Sequence, residues 1–250
     1  MPAGSGDRWP DDYERGRPGW PAEVVDLPGL SPAATVLELG AGTGKLTRLL
    51  AATFDRVLAV EPAEAMRVLL VAHCPEAEAL GGAAEAIPLA DASVDAVFAA
   101  EAFHRFDAER ALAEIARVLR PRGALVAMWN LPAAPTEPSI AAVERLLAPR
   151  IPDDLGYDPL DLNSARYASG EWRRAFAGAP FEELQEARLP NPRALDRDAL
   201  VAFLASMGWI ADLPDTERLP LLQEVRSLLT SADYRQTWET HLYWTRLARR

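Results

Sequence analysis

Three kinds of residue in this sequence are spaced for chemistry: glycines on alternate positions, carboxylates at the ends of apolar runs, and a histidine between phenylalanines. The stretch Val36-Leu37-Glu38-Leu39-Gly40-Ala41-Gly42-Thr43-Gly44-Lys45-Leu46-Thr47 opens as an apolar run with an acid near its end. It breaks into three glycines and resumes with Leu46, Leu49 and Leu50 at helical spacing, so it reads as strand, glycine turn and helix. Glycines let the chain turn sharply and let a ligand approach the backbone, and the helix behind them offers free N–H groups. A nucleotide-like ligand suits such a turn. A phosphate-binding P-loop does not fit, because Leu39 stands at its first glycine and Leu46 at its metal-binding hydroxyl. A dinucleotide loop fits poorly, because its third glycine is one residue early, at Gly44.

A second apolar run, Arg56 to Glu61, also ends in an acid. Glu61 lies about twenty residues past the first glycine, where a carboxylate can accept both hydroxyls of a ribose. A fourth run, Val94 to Ala100, delivers Glu101-Ala102-Phe103-His104-Arg105-Phe106-Asp107 to the carboxyl edge of a sheet, where open α/β folds bind ligands.

The elements that must hold these residues follow from periodicity. Strands are expected at Val36–Leu39, Arg56–Glu61, Ala77–Leu80, Val94–Ala100 and Ala124–Trp129, and helices at Lys45–Thr53, Ala63–His73 and Ala108–Leu119, with Pro62 at a tolerated first-turn position. The alternation falters at the third crossover, where residues 89–93 are too short for a helix. Strand and helix in alternation mean a parallel sheet covered on both faces. Beyond a proline-broken linker at Leu131–Pro138, helices are expected at Ser139–Leu147, Ser169–Ala177, Asp196–Met207 and Pro214–Leu229, with a proline- and aspartate-rich loop between the first two. A sixth strand is expected at Phe181–Leu189, and a seventh, antiparallel at a sheet edge, at Thr237–Leu247. The fold class is therefore α/β: a Rossmann-like, seven-stranded, mostly parallel sheet with helices on both faces, its last strand antiparallel, plus helical additions in the C-terminal half. Three regions are expected within one structural domain: an arm at 1–30 over the cofactor site, a core at 31–130, and a part at 131–250 that completes the sheet and caps the acceptor site.

Composition narrows the partners. The chain has 250 residues, 49% hydrophobic and 25% charged, enough for one large core. Its net charge of −11, with no basic stripe, disfavours nucleic acid and suits a cationic cofactor as well as it suits solubility. No apolar segment approaches membrane-spanning length, and no signal peptide is visible. The single cysteine, Cys74, allows no intrachain disulfide, and a cytoplasmic setting is expected. Residues 1–8 read as frayed, and Tyr13 to Pro21 as a proline-stiffened arm of aromatics and arginines that either packs on the domain or caps the pocket.

Assembled, these residues resemble the class I S-adenosylmethionine (SAM) methyltransferases, of the methyltransferase type 11 kind. The branch that includes trans-aconitate-type small-molecule enzymes looks most similar. Glu38 through Gly44 matches the family's first motif, and Glu61 its ribose acid. Ala84-Glu85-Ala86-Ile87-Pro88-Leu89 with Ser93-Val94-Asp95 matches its stretch between the adenine loop and the fourth strand, Ala102-Phe103-His104 with Phe106-Asp107 its fourth-strand motif, and Arg117 to Pro121 through Trp129-Asn130 its fifth-strand block. Tyr13 and Arg17-Pro18 match its N-terminal arm. The resemblance implies cofactor contacts from Tyr13, Arg17, Glu38, Gly40, Ala41, Gly42, Thr43, Gly44, Glu61, Pro62, Met66, Ala84, Glu85, Glu101 and Phe103. Met66 also fits simple core packing. The chain departs from the family at Ala83, where an acid is common, at Glu101 (usually Gln), at Arg105 (usually aromatic) and at Arg122 (usually Gly).

The implied activity is transfer of a methyl group from SAM to a small-molecule acceptor by in-line displacement, leaving S-adenosylhomocysteine (SAH), with no metal, no nucleic acid and no membrane, in a monomer or homodimer. His104 is the candidate catalytic residue. Base catalysis, substrate positioning and packing all remain open for it. Trp129, Trp172 and Trp209 are candidates to line the acceptor pocket. Competing readings are an NAD-dependent oxidoreductase and a non-catalytic SAM-binding protein.

Overall fold

The computed structural model describes residues 10–132, 138–151 and 171–249. The expected frayed start, the middle of the 131–138 linker, most of the proline- and aspartate-rich loop and the first residues of the 169–177 helix lie outside them. By its contacts the chain divides into two compact units. One comprises 19–130, 170–189 and 240–250, and the other 1–18, 131–169 and 190–239.

Seven strands form one sheet in the order β3-β2-β1-β4-β5-β7-β6. They are β1 (Thr35–Leu39), β2 (Arg56–Val60), β3 (Glu78–Leu80), β4 (Val94–Ala100), β5 (Leu119–Pro132), β6 (Gln185–Asp196) and β7 (Asp233–Arg246). The sheet is mostly parallel with an antiparallel end, as the strand–helix alternation requires. Val36, Ala96, Phe98, Val126 and Met128 are buried, and so are their neighbours Leu37, Val97, Ala99, Leu125 and Ala127. Successive strand residues face opposite ways, so the central strands are covered on both faces. One face packs with Leu46, with Leu50 and Phe54 in and after helix α2 (Thr47–Thr53), and with Val24 and Val25 of a 3-10 turn at Ala22–Val25.

Two expectations for the strands are corrected. The sixth strand runs Gln185–Asp196, past Pro190 and Pro192, and not Phe181–Leu189. A proline cannot donate to a ladder, but β6 lies at the sheet edge, where one side needs no donor. The last strand of the chain is not at an edge, because β7 lies between β5 and β6. Strand β5 also starts earlier than its apolar run. Leu119 pairs with Val94 and Ala124 with Ala96, so residues 120–123 bulge opposite Asp95. Arg122 sits in that bulge at φ +65°, a left-handed conformation that a side chain disfavours. Among the described residues its side chain makes a half-exposed ion pair with Glu182 at 4.0 Å, which is worth little. Arg122→Gly is therefore expected to stabilise the protein by about 0.5–1 kcal/mol, raising its thermal midpoint by ~1–4 °C. A lower midpoint would contradict this account of the bulge.

The helices flanking the sheet are α3 (Glu64–His73) and α4 (Ala108–Val118). No helix fills the third crossover; residues 81–93 run as a loop. Arg117 of α4 fastens it. Its guanidinium donates to the carbonyls of Ile87 (2.9 Å) and Leu89 (2.7 Å) and to the carboxylates of Asp91 and Glu114. Glu114 in turn accepts the Ile87 N–H at 2.9 Å. The bound guanidinium holds the Glu114 carboxyl below its ordinary range.

The other unit has its own core: Val143 and Leu147 of α5 (Pro138–Leu147), Leu200, Phe203 and Leu204 of α6 (Arg197–Ala205), Trp209 and Ile210 of α7 (Gly208–Ala211), Leu221 and Val225 of α8 (Asp215–Leu228), and Trp238. Within the expected arm, Pro10–Gly16 forms a helix, α1. Gly16 makes its docking possible, since a Cβ there would lie 2.1 Å from the Phe203 backbone nitrogen.

Candidate functional site

The strand order reverses between β1 and β4, the one place where connections leave a parallel sheet in opposite directions. The glycine loop follows β1, Glu61 follows β2, and Glu101 to His104 follow β4. All three segments belong to one unit and meet at one sheet edge. Gly40 and Ala41 donate their N–H groups to the Val60 carbonyl at 2.8 and 3.2 Å, which seats the loop against the end of β2. The three glycines have φ of +70°, +57° and +90°. A Cβ at Gly40 would lie 2.8 Å from the Ala102 side chain. Behind the loop, His73 Nδ1 is 3.2 Å from the Thr43 carbonyl, and the Cys74 thiol faces the Gly44 carbonyl at 3.6 Å. His73, exposed at the helix end as its sequence position implies, thus also braces the loop.

Glu61 is buried, and both of its oxygens face backbone donors: Oε2 accepts the Gly42 N–H at 2.8 Å and Oε1 the Ala63 N–H at 2.9 Å. Burial raises its pKa above the ordinary value, against those two hydrogen bonds and the positive charges of Arg105 and Arg67. Arg67 also donates to the carbonyls of Glu61 (2.7 Å) and Pro62 (3.0 Å), fixing the chain where it leaves β2. The carboxylate and the loop it was expected to work with are therefore joined directly.

Glu38 is almost fully buried at the end of β1, and the Thr47 hydroxyl donates to its Oε2 at 2.5 Å. Burial pushes its pKa from 4.5 up to about 8, with the Thr47 hydrogen bond opposing. The folded chain therefore binds this proton more tightly than the unfolded chain does. Glu38's contribution to stability is fully present below pH 4.5 and is lost as pH rises through about 8. Denaturant titrations of the cofactor-free protein should show stability falling between those limits, and Glu38→Gln should flatten the slope. An equal slope in both would contradict the assignment.

Glu101 ends β4 in the left-handed region, at φ +52°. Its Oε1 accepts the Asn130 N–H at 2.7 Å, tying the ends of β4 and β5 together. Asn130 is itself buried; it donates to the Gly19 carbonyl at 3.1 Å and accepts from the Thr240 hydroxyl at 2.5 Å. Phe103 is buried against Phe106, Trp172 and Phe176. Ala84 and Met66 are buried, and Glu85 accepts the Asp107 N–H at 2.8 Å, joining the fastened loop to the segment after β4.

His104 lies in a 3-10 turn, Phe103–Arg105, and its Nδ1 is 3.0 Å from the Trp129 indole nitrogen. Of the three tryptophan candidates, Trp129 and Trp172 stand together with ring centroids 5.0 Å apart, whereas Trp209 belongs to the core of the other unit. Tyr13 and Arg17 also fall in that other unit. There the Arg17 guanidinium stacks on the Tyr13 and Phe203 rings at 5.6 and 5.1 Å and donates to the Ser206 hydroxyl at 2.9 Å.

Sequence reasoning missed the partners more than the principals. Thr47 as the donor to Glu38, Arg117 and Glu114 as the fastening of the 84–91 loop, and Asn130 as the donor to Glu101 had no local signal, since each acts across 9 to 30 residues of chain.

Comparison with known proteins gives the family. Residues 37–127 match the family model described as a methyltransferase domain. An uncharacterised methyltransferase of Mycobacterium tuberculosis is 39% identical over 222 residues, which are 88% of this chain and 83% of that protein. A solved structure from Anaeromyxobacter dehalogenans, assigned as a type II methyltransferase, superposes with a TM-score of 0.69 at 28% identity, over 94% of this chain and 99% of that one. At 14% identity the fold alone is shared with a Haemonchus contortus N-methyltransferase solved with SAH (TM-score 0.52, over 90% of this chain and 52% of that one). With a glycine loop after β1, a carboxylate after β2 and relatives of this breadth, the chain belongs to the class I SAM-dependent methyltransferases.

Proposed function

We propose that this chain binds SAM at the carboxyl edge of β1, β2 and β4 and transfers its methyl group to a small-molecule acceptor. The observation that carries the reading is the hydrogen bond from Gly42 N–H to Glu61, which builds backbone loop and carboxylate into one cradle. The residues present fit the cofactor. Positive φ at Gly40, Gly42 and Gly44 keeps side chains out of the space a ligand needs. Glu38 is a buried carboxyl that a neighbouring ammonium would ionise. Each oxygen of Glu61 has a second lone pair for a ribose hydroxyl.

When bound, the sulfonium supplies an activated methyl group, and the reaction is an in-line displacement. Glu38 and the 40–44 backbone, including Ala41 and Thr43, hold the amino-acid portion. Glu61 and Pro62 hold the ribose. Ala84 and Glu85, on the loop fastened by Arg117, meet the adenine, with Met66 beside them. Glu101 and Phe103 shape the side facing the acceptor, and His104 touches the acceptor itself. The chain's work is to hold nucleophile, methyl carbon and sulfur in line, an orientation effect that contributes roughly 7–11 kcal/mol.

Thermal-shift and calorimetric titration with SAM, SAH and NADH test the binding half. Stabilisation by SAM and SAH, with none by NADH, is expected. Heats measured in buffers of different ionisation enthalpy should show proton release on binding near pH 7, as Glu38 ionises. No heat from either sulfur compound would overturn the reading. Radiolabelled methyl transfer to a panel of small acids, amines and alcohols tests the catalytic half, and no transfer to any member would favour a non-catalytic binder.

A further inference from the structure

Arg17 is half-buried in a chain of net charge −11, yet among the described residues no carboxylate pairs with it. Asp12 in α1 pairs with Arg218, and Asp196 and Asp198, which meet α1, pair with Arg15. The Arg17 guanidinium is held in another way, by residues of its own unit. The Tyr13 and Phe203 rings lie 5.6 and 5.1 Å from it. Nε donates to Ser206 Oγ at 2.9 Å and Nη2 to the Ser206 carbonyl at 3.4 Å, so the edge carrying those two nitrogens is engaged. Ser206 is itself fixed. It is buried at the C-terminal end of α6, and its hydroxyl donates to the Phe203 carbonyl at 2.7 Å, which leaves its oxygen lone pairs for Arg17. The end of the guanidinium, Nη1 with Nη2, presents two parallel N–H groups.

We propose that Ser206 is a positioning residue that, with Phe203 and Tyr13, locks Arg17 as a fork for the carboxylate of a small-molecule ligand. A charge drawn partly out of water is costly until an opposite charge meets it, so the ligand's anion completes the group. The negative end of α6 and the two ring faces hold the cation in place before the ligand arrives. Two parallel N–H groups match the two oxygens of a carboxylate. A phosphate dianion matches less well, because one guanidinium neutralises half of its charge. With the side chain already ordered by Ser206, the ligand does not have to order it. The cofactor of the methyl-transfer reading has one carboxylate, in its amino-acid tail, and a free carboxylic acid offers the same group. For the cofactor the proposal rests on that reading; the fork itself does not.

Proton–nitrogen spectra of the full-length protein at the arginine Nε–H frequencies test the lock without any cofactor. Arg17→Lys assigns the signal. An Nε–H bonded to Ser206 should exchange slowly with water, and in Ser206→Ala it should exchange at least ~tenfold faster. Equal rates in the two proteins overturn the positioning role.

Calorimetric titration with SAH and with 5′-methylthioadenosine, which lacks the carboxylate, tests the ligand. Ser206→Ala should weaken SAH by ~3–10-fold and Arg17→Gln by ~10–50-fold, with methylthioadenosine unchanged within about twofold in both. A merely structural role would weaken both nucleosides alike. If the carboxylate belongs to a free acid instead, acetate or succinate should shift the Arg17 Nε–H signal of the wild type, and shift it less in Ser206→Ala. Neither a loss selective for SAH nor a response to either acid overturns the proposal. Should Arg17→Gln not fold, Ser206→Ala, which removes a single oxygen, decides. A wild type that responds to the acids but binds neither nucleoside would count against the methyl-transfer reading and leave the fork standing.

Discussion

Replacing Glu61 with glutamine is expected to weaken SAM and SAH binding alike by at least ~100-fold. The two ribose hydroxyls each lose a hydrogen bond to a charged acceptor, worth about 1.5–3 kcal/mol apiece. Glutamine is also a poor replacement within the protein itself. Both carboxylate oxygens already accept backbone N–H groups, from Gly42 at 2.8 Å and Ala63 at 2.9 Å. An amide must turn its own NH₂ toward one of them, leaving that donor unmatched, so the loop that should receive the ligand is pushed out of place as well. Calorimetric titration with both ligands checks this. Equal losses are expected because the ribose is common to both, and an unchanged dissociation constant would remove Glu61 from the site.

A large effect on stability is expected at Gly44. Its φ of +90° is one that a side chain rarely adopts, and a Cβ there would lie 2.6 Å from Cys74 Sγ and 3.0 Å from Leu70 Cδ1. Both neighbours are buried in α3 or at its end and have little room to move. Gly44→Ala should cost about 1–2 kcal/mol in backbone conformation and about 1–3 kcal/mol in overpacking, lowering the thermal midpoint by ~5–15 °C. The two components separate experimentally. Adding Cys74→Ala removes the sulfur and should recover part of the packing loss but none of the conformational one. If the double variant melts no higher than the single one, the clash does not lie where the geometry puts it.

The glycines, Glu38, Glu61 and the strand–helix alternation around them were legible because each is a local signal. A turn needs glycine where φ is positive, and an acid at a strand end is visible within a few residues. The same holds for β1, β2 and β4, which fall within a residue or two of their expected bounds. Features set by distant partners were not legible. The 81–93 loop looks unsupported until Arg117 is placed against its carbonyls. Helix α1 was hidden by the prolines on both sides of it, and its docking depends on Gly16 meeting the Phe203 backbone nearly 190 residues later. Strand β6 was cut short in sequence by two prolines that are tolerated only because of the strand's neighbours. His104 could be chosen as a candidate, but its neighbour Trp129, 25 residues away, could not be read from the local sequence.

Those two prolines have a wider consequence. An outermost strand with every amide intact is a template on which another polypeptide can lay itself down, and a continuous ladder between molecules is a common route to insoluble material. Pro190 and Pro192 remove alternate amides from β6, and the arginines at 188 and 193 add like charge along the same segment. The border of the sheet is thereby denied as a growth point, so a concentrated solution of this protein is shielded from edge-to-edge polymerisation on that side.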